Sequence, residues 1–269
     1  MRAVRGLGIA LFCFVAVAPF AYVVSASLKR TRSLFQFPPE WIPSHPTLDN
    51  YTRLVSDLPF LRWTLNTLLV AGAVALLKVA FDSMAGYAFS KLSFAGRRPL
   101  FGGMLATVMI PPAVLIIPLF FLVRDAGLLD TYWALILPPL ANPIGIFMMR
   151  GFIDALPDEL ESAARIDGCG PLRTYRHIVL PLVKPGLVVV GVYAFLIQYT
   201  NFVWPLVATR SEHLYVLTTG LARLKPSFTA PDWGLISAGS VAAMIPITLV
   251  FLALQRQFVS ASLAGALKG

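Results

Sequence analysis

A chain of 269 residues with 57% hydrophobic and 13% charged side chains, and a mean hydropathy of +0.75, lies outside the usual composition of soluble domains. It reads as an integral membrane protein. The net charge of +9 is attributed to membrane topology and contact with anionic lipid headgroups, and gives no case for nucleic acid.

A hydrocarbon core of roughly 30 Å needs about 20 helical residues to cross it, and apolar runs of that order fall at residues 6–28, 64–90, 99–123, 131–152, 185–209 and 234–255. The first follows Arg2 and Arg5 and ends in Ser25, Ala26 and Ser27, as a secretory signal does. Its apolar region is longer than the 7 to 15 residues of a cleavable signal, so an uncleaved helix is the reading taken. Asn50-Tyr51-Thr52, in the polar stretch that follows, matches a glycosylation acceptor, a pattern short enough to arise by chance. In the second run Lys78 and Asp82 stand four residues apart, on one helix face, where each can satisfy the other; a solute contact is the alternative. The third and fourth runs carry Pro111, Pro112, Pro118, Pro138, Pro139 and Pro143, and later runs Pro205 and Pro246. Each proline frees carbonyls that neighbouring helices or water must satisfy, which favours a kinked bundle around a pathway. In the fifth run Gln198, Tyr199, Asn201 and Trp204 are candidates for lining that pathway, because sugars stack on aromatic faces and bond to amides. For Trp204 an interfacial anchor is the reading taken.

With Arg2 and Arg5 in the cytoplasm, six spans return the C-terminal tail, residues 256–269, to the same side. That side carries twelve Lys and Arg against nine opposite, a modest bias in the expected direction. Cys13 and Cys169 imply no disulfide framework, and His45, His177 and His213 are read as surface residues. No phosphate-binding loop, zinc motif or nucleophile turn is present, and no metal site is expected. The halves show no obvious duplication, which weakens a repeat-built secondary carrier.

The polar segment 154–181 interrupts the apolar pattern. Pro157 and the acidic Asp158, Glu159 and Glu161 suit a helix start, Gly168 its end, and Gly170-Pro171 opens a second helix that closes before Pro181. Leu160, Ala163 and Ala164 share one face of the first helix, and Leu172, Tyr175 and Val179 one stripe of the second, with Arg173 and Arg176 beside it. Such a helix-turn-helix suits a groove on another protein; lying on the bilayer surface is the alternative.

Ser162-Ala163-Ala164, three residues, Gly168, nine residues, Ile178, one residue, Leu180-Pro181 resembles the EAA loop of ABC-importer permeases, with Ser162 in place of the pattern's glutamate and Glu161 just before it. Trp41 to Tyr51, Ala85 to Arg98, Asn201 to Leu206 and Leu254 to Gly269 are similar to corresponding stretches of the carbohydrate type, specifically the maltose-type second permease. Tyr199, Thr200 and Asn201 replace three residues usual before the Asn201 stretch, and Ala261 a glycine in the last.

The resemblance implies an all-α membrane protein of six transmembrane helices, with a cytoplasmic coupling helix-turn-helix between the fourth and fifth. Glu161, Ser162, Ala163, Ala164, Asp167, Gly168, Ile178, Leu180 and Pro181 would form the ATPase-coupling segment. The implied partners are a second related permease, two ATP-binding subunits that hold ATP and Mg, and an extracytoplasmic solute-binding protein, in a bacterial-type cytoplasmic membrane. The chain itself needs no cofactor and is no enzyme. The expected solute is a sugar or short oligosaccharide. A glycerol-phosphate derivative is the alternative, for which Lys78 would pass the anion. A self-sufficient channel or carrier is the rival of another class.

Overall fold

The computed structural model describes residues 2–37, 40–224 and 231–266, and all regular structure among them is helical. Helices α1 (Arg2–Ser27), α2 (Asp49–Ser56) and α3 (Phe60–Lys91) are followed by α4 (Arg97–Ala106), α5 (Pro112–Asp125), α6 (Tyr132–Leu140) and α7 (Ile144–Asp154). Then come α8 (Glu159–Ile166), α9 (Pro171–Thr174), a π turn (Tyr175–Val179), α10 (Leu180–Leu182), α11 (Lys184–Tyr199), α12 (Val203–Ala208), α13 (Leu217–Ala222) and α14 (Trp233–Ala266). Of the expected tail 256–269, the stretch to Ala266 continues α14, and 267–269 lie outside the described residues.

Among the described residues three helices are individually long and apolar enough to cross a membrane: α1, α3 and the first part of α14. The 26 residues of α1 span about 39 Å at 1.5 Å per residue, and Leu7, Leu11, Phe12, Phe14 and Phe20 are exposed around it, as on a helix surrounded by apolar material. α3, with 32 residues, reaches about 48 Å and extends past both limits of the expected span 64–90.

The other apolar runs are broken where the prolines lie. α4 and α5 meet at 104° across Pro111 and Pro112, α6 and α7 at 46° across Asn142 and Pro143, and the α9–α10 stretch meets α11 at 80°. The expected run 185–209 is interrupted after Tyr199, before α12. A ring nitrogen cannot donate to the preceding turn, so the chain bends at these points.

The chain divides into two compact units. The first comprises residues 1–66 and 215–248. Within it Asn50 is buried and its amide donates to the carbonyls of Ser27 (2.9 Å) and Lys29 (2.8 Å) at the end of α1. The apparent glycosylation acceptor is thus a structural cap whose nitrogen is already used. Asp232 caps α14 through Leu235 N (3.1 Å), takes the Arg53 guanidinium at 2.7 Å and accepts from the Thr31 hydroxyl. Burial raises its carboxyl pKa, but the bonds from Thr31, Arg53 and Leu235 outweigh this and hold it below the ordinary value. Gly220 lets α13 close on Trp63, whose ring would lie 2.3 Å from an added Cβ.

The second unit comprises residues 67–214 and 249–269. Its core includes Tyr87, Met149, Ile153, Val179, Val183 and Val190, drawn from α3, α7 and the stretch through the π turn into α11. At another point Asp130, at φ 57, accepts from the Arg210 amide (2.8 Å), the Ser211 amide (2.9 Å) and the Ser211 hydroxyl. These Ser211 bonds, with that from the Arg210 amide and the electrostatic influence of the nearby His213, hold the Asp130 carboxyl below its ordinary value. A depressed carboxyl stabilises the fold fully above the unfolded value of about 4 and ceases to do so as pH falls through the folded value. Thermal denaturation in detergent should show a midpoint that drops between about pH 5 and pH 3, by less in Asp130→Asn, which tolerates the same backbone conformation. Equal pH dependence in the two proteins would contradict this assignment.

Candidate functional site

The polar segment 154–181 is built as two short helices joined by a left-handed turn. The first turn of α8 holds Glu159 and Glu161 and its last turn Arg165, each sign at the helix end that favours it. Gly168 has φ +75, and the Cys169 amide reaches back to Ala164 O at 2.8 Å. This is the glycine-terminated helix end expected at that position. Gly170 is extended and Pro171 opens α9. Pro181 cannot donate, and the turn before it widens into a π turn closed by Leu180 N on Tyr175 O.

The segment has two faces. Outward stand Ile166, 86% exposed, and Leu172, 72% exposed, with Ser162, Ala163, Asp167, Arg173, Arg176 and Pro181 also exposed. Inward are Ala164 and Val179, both buried, with Ile178 and Leu180 half-buried. The expected shared face of Ala163 and Ala164 is therefore divided between the two sides. Ser162 Oγ donates to Asp158 O (3.2 Å), whereas Glu161 Oε1 is buried without a hydrogen-bond partner in the chain. Glu161 faces a cavity of about 50 Å³ lined also by Tyr87, Leu92, Arg165, Cys169, Pro171 and Thr174, large enough for water.

The end of α3 holds this inner side. Ser83 and Tyr175 share a hydrogen bond of 2.7 Å between their hydroxyls, the rings of Tyr87 and Tyr175 lie 5.4 Å apart, and Tyr87 and Glu161 line the same small cavity. Lys91 Nζ contacts Asp158 at 2.5 Å and Leu156 O at 3.2 Å. The hydrogen bond from Lys91, then its charge, keeps the exposed Asp158 carboxyl below its ordinary value. Ser83, Tyr87 and Lys91 were not singled out in the sequence. Their spacing of four and four, on one side of a helix, was the available signal.

Farther along α3, Lys78 and Asp82 form the pair expected, 2.9 Å apart with side chains 5% and 2% exposed. Lys78 Nζ also donates to Asn142 O at 2.7 Å, in the break between α6 and α7. A Cβ on Gly145 would fall 1.8 Å from Asp82 Oδ2, and one on Gly86 2.8 Å from Met149 Cβ. Small residues thus bring α3 and α7 to close approach at two points.

Of the other pathway candidates, Gln198, Tyr199 and Trp204 are buried and Asn201 half-buried. Trp204 Nε1 donates to Ala134 O at 2.8 Å, and Gln198 Nε2 to Leu135 O at 3.4 Å. Those are the carbonyls that residues 138 and 139 would satisfy in a regular α-helix, and both are proline. Trp204 and Gln198 are turned into the protein, where they serve the carbonyls that the two prolines of α6 leave without a donor. Asn201 Nδ2 extends the set to Gln198 Oε1 (3.4 Å), and Tyr199 packs on Phe195 with ring centroids 5.6 Å apart.

These elements define a helical membrane protein with bent, proline-containing helix pairs and a two-faced polar segment. Residues 82–261 match the family of binding-protein-dependent transport system inner membrane components, and the chain belongs to that family. It is 35% identical over 266 residues to the arabinooligosaccharides transport system permease protein of Halalkalibacterium halodurans, covering 98% of this chain and 95% of that protein. It is 33% identical over 268 residues to the maltodextrin transport system permease protein of Bacillus subtilis, with coverage of 98% and 95%. A solved chain of a bacterial ABC transporter involved in the import of the acidic polysaccharide alginate has the same fold, with a TM-score of 0.85 at 23% identity over 94% of this chain and 95% of that one.

Removing Lys78 alone would leave Asp82 buried without its cation, a loss of about 3–5 kcal/mol for such pairs. Lys78→Met should lower the denaturation midpoint in detergent strongly, and Lys78→Met with Asp82→Leu should recover much of it. A double variant no more stable than Lys78→Met would show that the pair is not the source of the loss.

Proposed function

We propose that this chain is the permease subunit of an ATP-driven importer for a sugar or short oligosaccharide, paired with a second permease and driven by two ATP-binding subunits. The observation that carries the reading is the polar segment, which presents an apolar and basic outer face while its inner face is fixed to α3. Ile166 and Leu172 offer area to bury, and Arg173 and Arg176 orient a partner around them. ATP and Mg would be held by those partners, because no phosphate-binding loop occurs in this chain. An extracytoplasmic binding protein would deliver the solute, as the family's description implies.

Up to six spans follow when each bent pair counts as one, with α1, α3 and α14 as the others; in the third pair the crossing falls on α11, because Pro171–Leu182 is the second half of the polar segment. With Arg2 and Arg5 held inside, both termini and the polar segment would then lie in the cytoplasm. Sugar as the solute is supported by the arabinooligosaccharides and maltodextrin systems to which the two relatives belong. The Lys78 ammonium is already taken by Asp82 and Asn142 O, which favours a neutral solute over a glycerol-phosphate derivative. Nucleotide-driven closure of the partners would rock the spans between inward-open and outward-open forms.

Purification of the tagged chain in mild detergent followed by mass spectrometry should recover an ATP-binding subunit and a second permease in stoichiometric amounts. Vesicles containing that complex and its binding protein should take up maltotriose or arabinotriose only with ATP. Uptake by the chain alone, without ATP, would replace this reading with a channel or secondary carrier. Ile166→Glu, at the centre of the outer face, should weaken recovery of the ATP-binding subunit by about tenfold or more, the scale of an interface anchor. Gly168→Val, which strains a left-handed position by about 1–2 kcal/mol, should reduce uptake more than hydrolysis; normal uptake would argue against the coupling role.

A further inference from the structure

The contacts along α3 join two places that the backbone connects less directly. Ser83 bonds to Tyr175 and Tyr87 packs on the same ring in the second half of the polar segment, while Lys91 bonds to Asp158 in its first half, and Tyr87 and Glu161 line one small cavity. α7 is joined through the backbone to the first half alone. One helix therefore ties both halves together, and they follow it as one body.

From Lys91 to Lys78 the same helix runs about 20 Å at 1.5 Å per residue, with no proline inside it. At Lys78 its ammonium holds Asn142 O in the 46° break between α6 and α7. Between these points the close approaches at Gly86 and Gly145 clamp α3 to α7, and Ser90 bonds to Asp154 at 2.5 Å. Close-packed helices without voids move together rather than deform. The break itself is different. Just before it, Pro138 and Pro139 remove two backbone bonds within α6, and the freed Ala134 and Leu135 carbonyls are held by side chains of Trp204 and Gln198, which can exchange where a helical ladder cannot.

We propose that α3 is the strut through which the polar segment acts on the break between α6 and α7, with Ser83, Tyr87 and Lys91 as positioning residues. The assignment rests on the permease reading and adds the route of coupling within this chain. Force applied at the outer face of α8 and α9 enters α3 at the Ser83 and Lys91 bonds and the Tyr87–Tyr175 ring contact, travels along a stiff helix and is delivered at Asn142. A network of this kind earns the name of a route only when breaking one end alters the other.

The test uses the complex purified with its ATP-binding partner. Leu137 and Phe147, both exposed on either side of the break, are replaced by cysteine for spin labelling, after Cys13 and Cys169 are changed to serine. The label separation is measured with and without trapping by ATP and vanadate. In the otherwise native complex, trapping should shift the separation. Tyr175→Phe and Ser83→Ala should each leave ATP hydrolysis within about twofold while at least halving the shift, and the double variant should be no worse than either, as expected for two partners in one bond. Lys91→Met should behave alike, and Lys91→Arg should restore the shift.

A shift of native size in Tyr175→Phe, Ser83→Ala and Lys91→Met would overturn the strut. So would a shift that falls only in proportion to hydrolysis, which marks a general loss of folding, or a native complex whose break does not move on trapping. The permease reading survives those results, since hydrolysis and uptake remain; its own failure shows instead as a native protein with no ATP-binding partner and no hydrolysis.

Discussion

Inside hydrocarbon a backbone carbonyl without a donor costs several kcal/mol, and the middle of this chain is organised around that cost. Pro138 and Pro139 withdraw two donors from α6. The indole of Trp204 and the amide of Gln198 replace them, and Lys78 serves the neighbouring Asn142 carbonyl. Three donors from α3, α11 and α12 thereby serve α6 and the break at its end. Without them the break would require water in an apolar interior or would not form.

The same requirement explains why a charged pair sits within α3. An isolated lysine in a membrane span is unfavourable, but Asp82 neutralises Lys78 while leaving one of its protons for Asn142. Gly145 is needed because Asp82 occupies the space of a side chain there. Charge, proline break and glycine contact form one construction, and a change at any of them is felt at the others.

At its end near the polar segment, α3 changes character. Serine, tyrosine and lysine replace the buried pair and face a segment whose other side is exposed and apolar. The motif position that is usually glutamate holds an exposed Ser162, and the carboxylate one residue earlier is turned inward toward Tyr87. A shift of one residue on a helix rotates a side chain by about 100°, enough to move a carboxylate from the outer face to the inner one. In this chain the acidic group of the loop supports its attachment to α3.

Composition and hydropathy determined that the chain is helical and membrane-bound, because apolar runs of span length leave few other structures. The spacing from Ser162 to Pro181 determined where the two-helix polar segment turns, since glycine acts locally; its second helix, expected to close before Pro181, runs through it to Leu182. The spacing of Lys78 and Asp82 likewise determined their pairing, which is a property of a single helix. Tertiary structure decided the rest. It made Asn50 a helix cap, turned Trp204 and Gln198 inward, and split Ala163 from Ala164. It also brought Ser83, Tyr87 and Lys91 against residues about 70 to 90 positions away. Those outcomes depend on which carbonyl lacks a donor and which neighbour can reach it, and a donor's partner in space is not encoded in its neighbours along the chain.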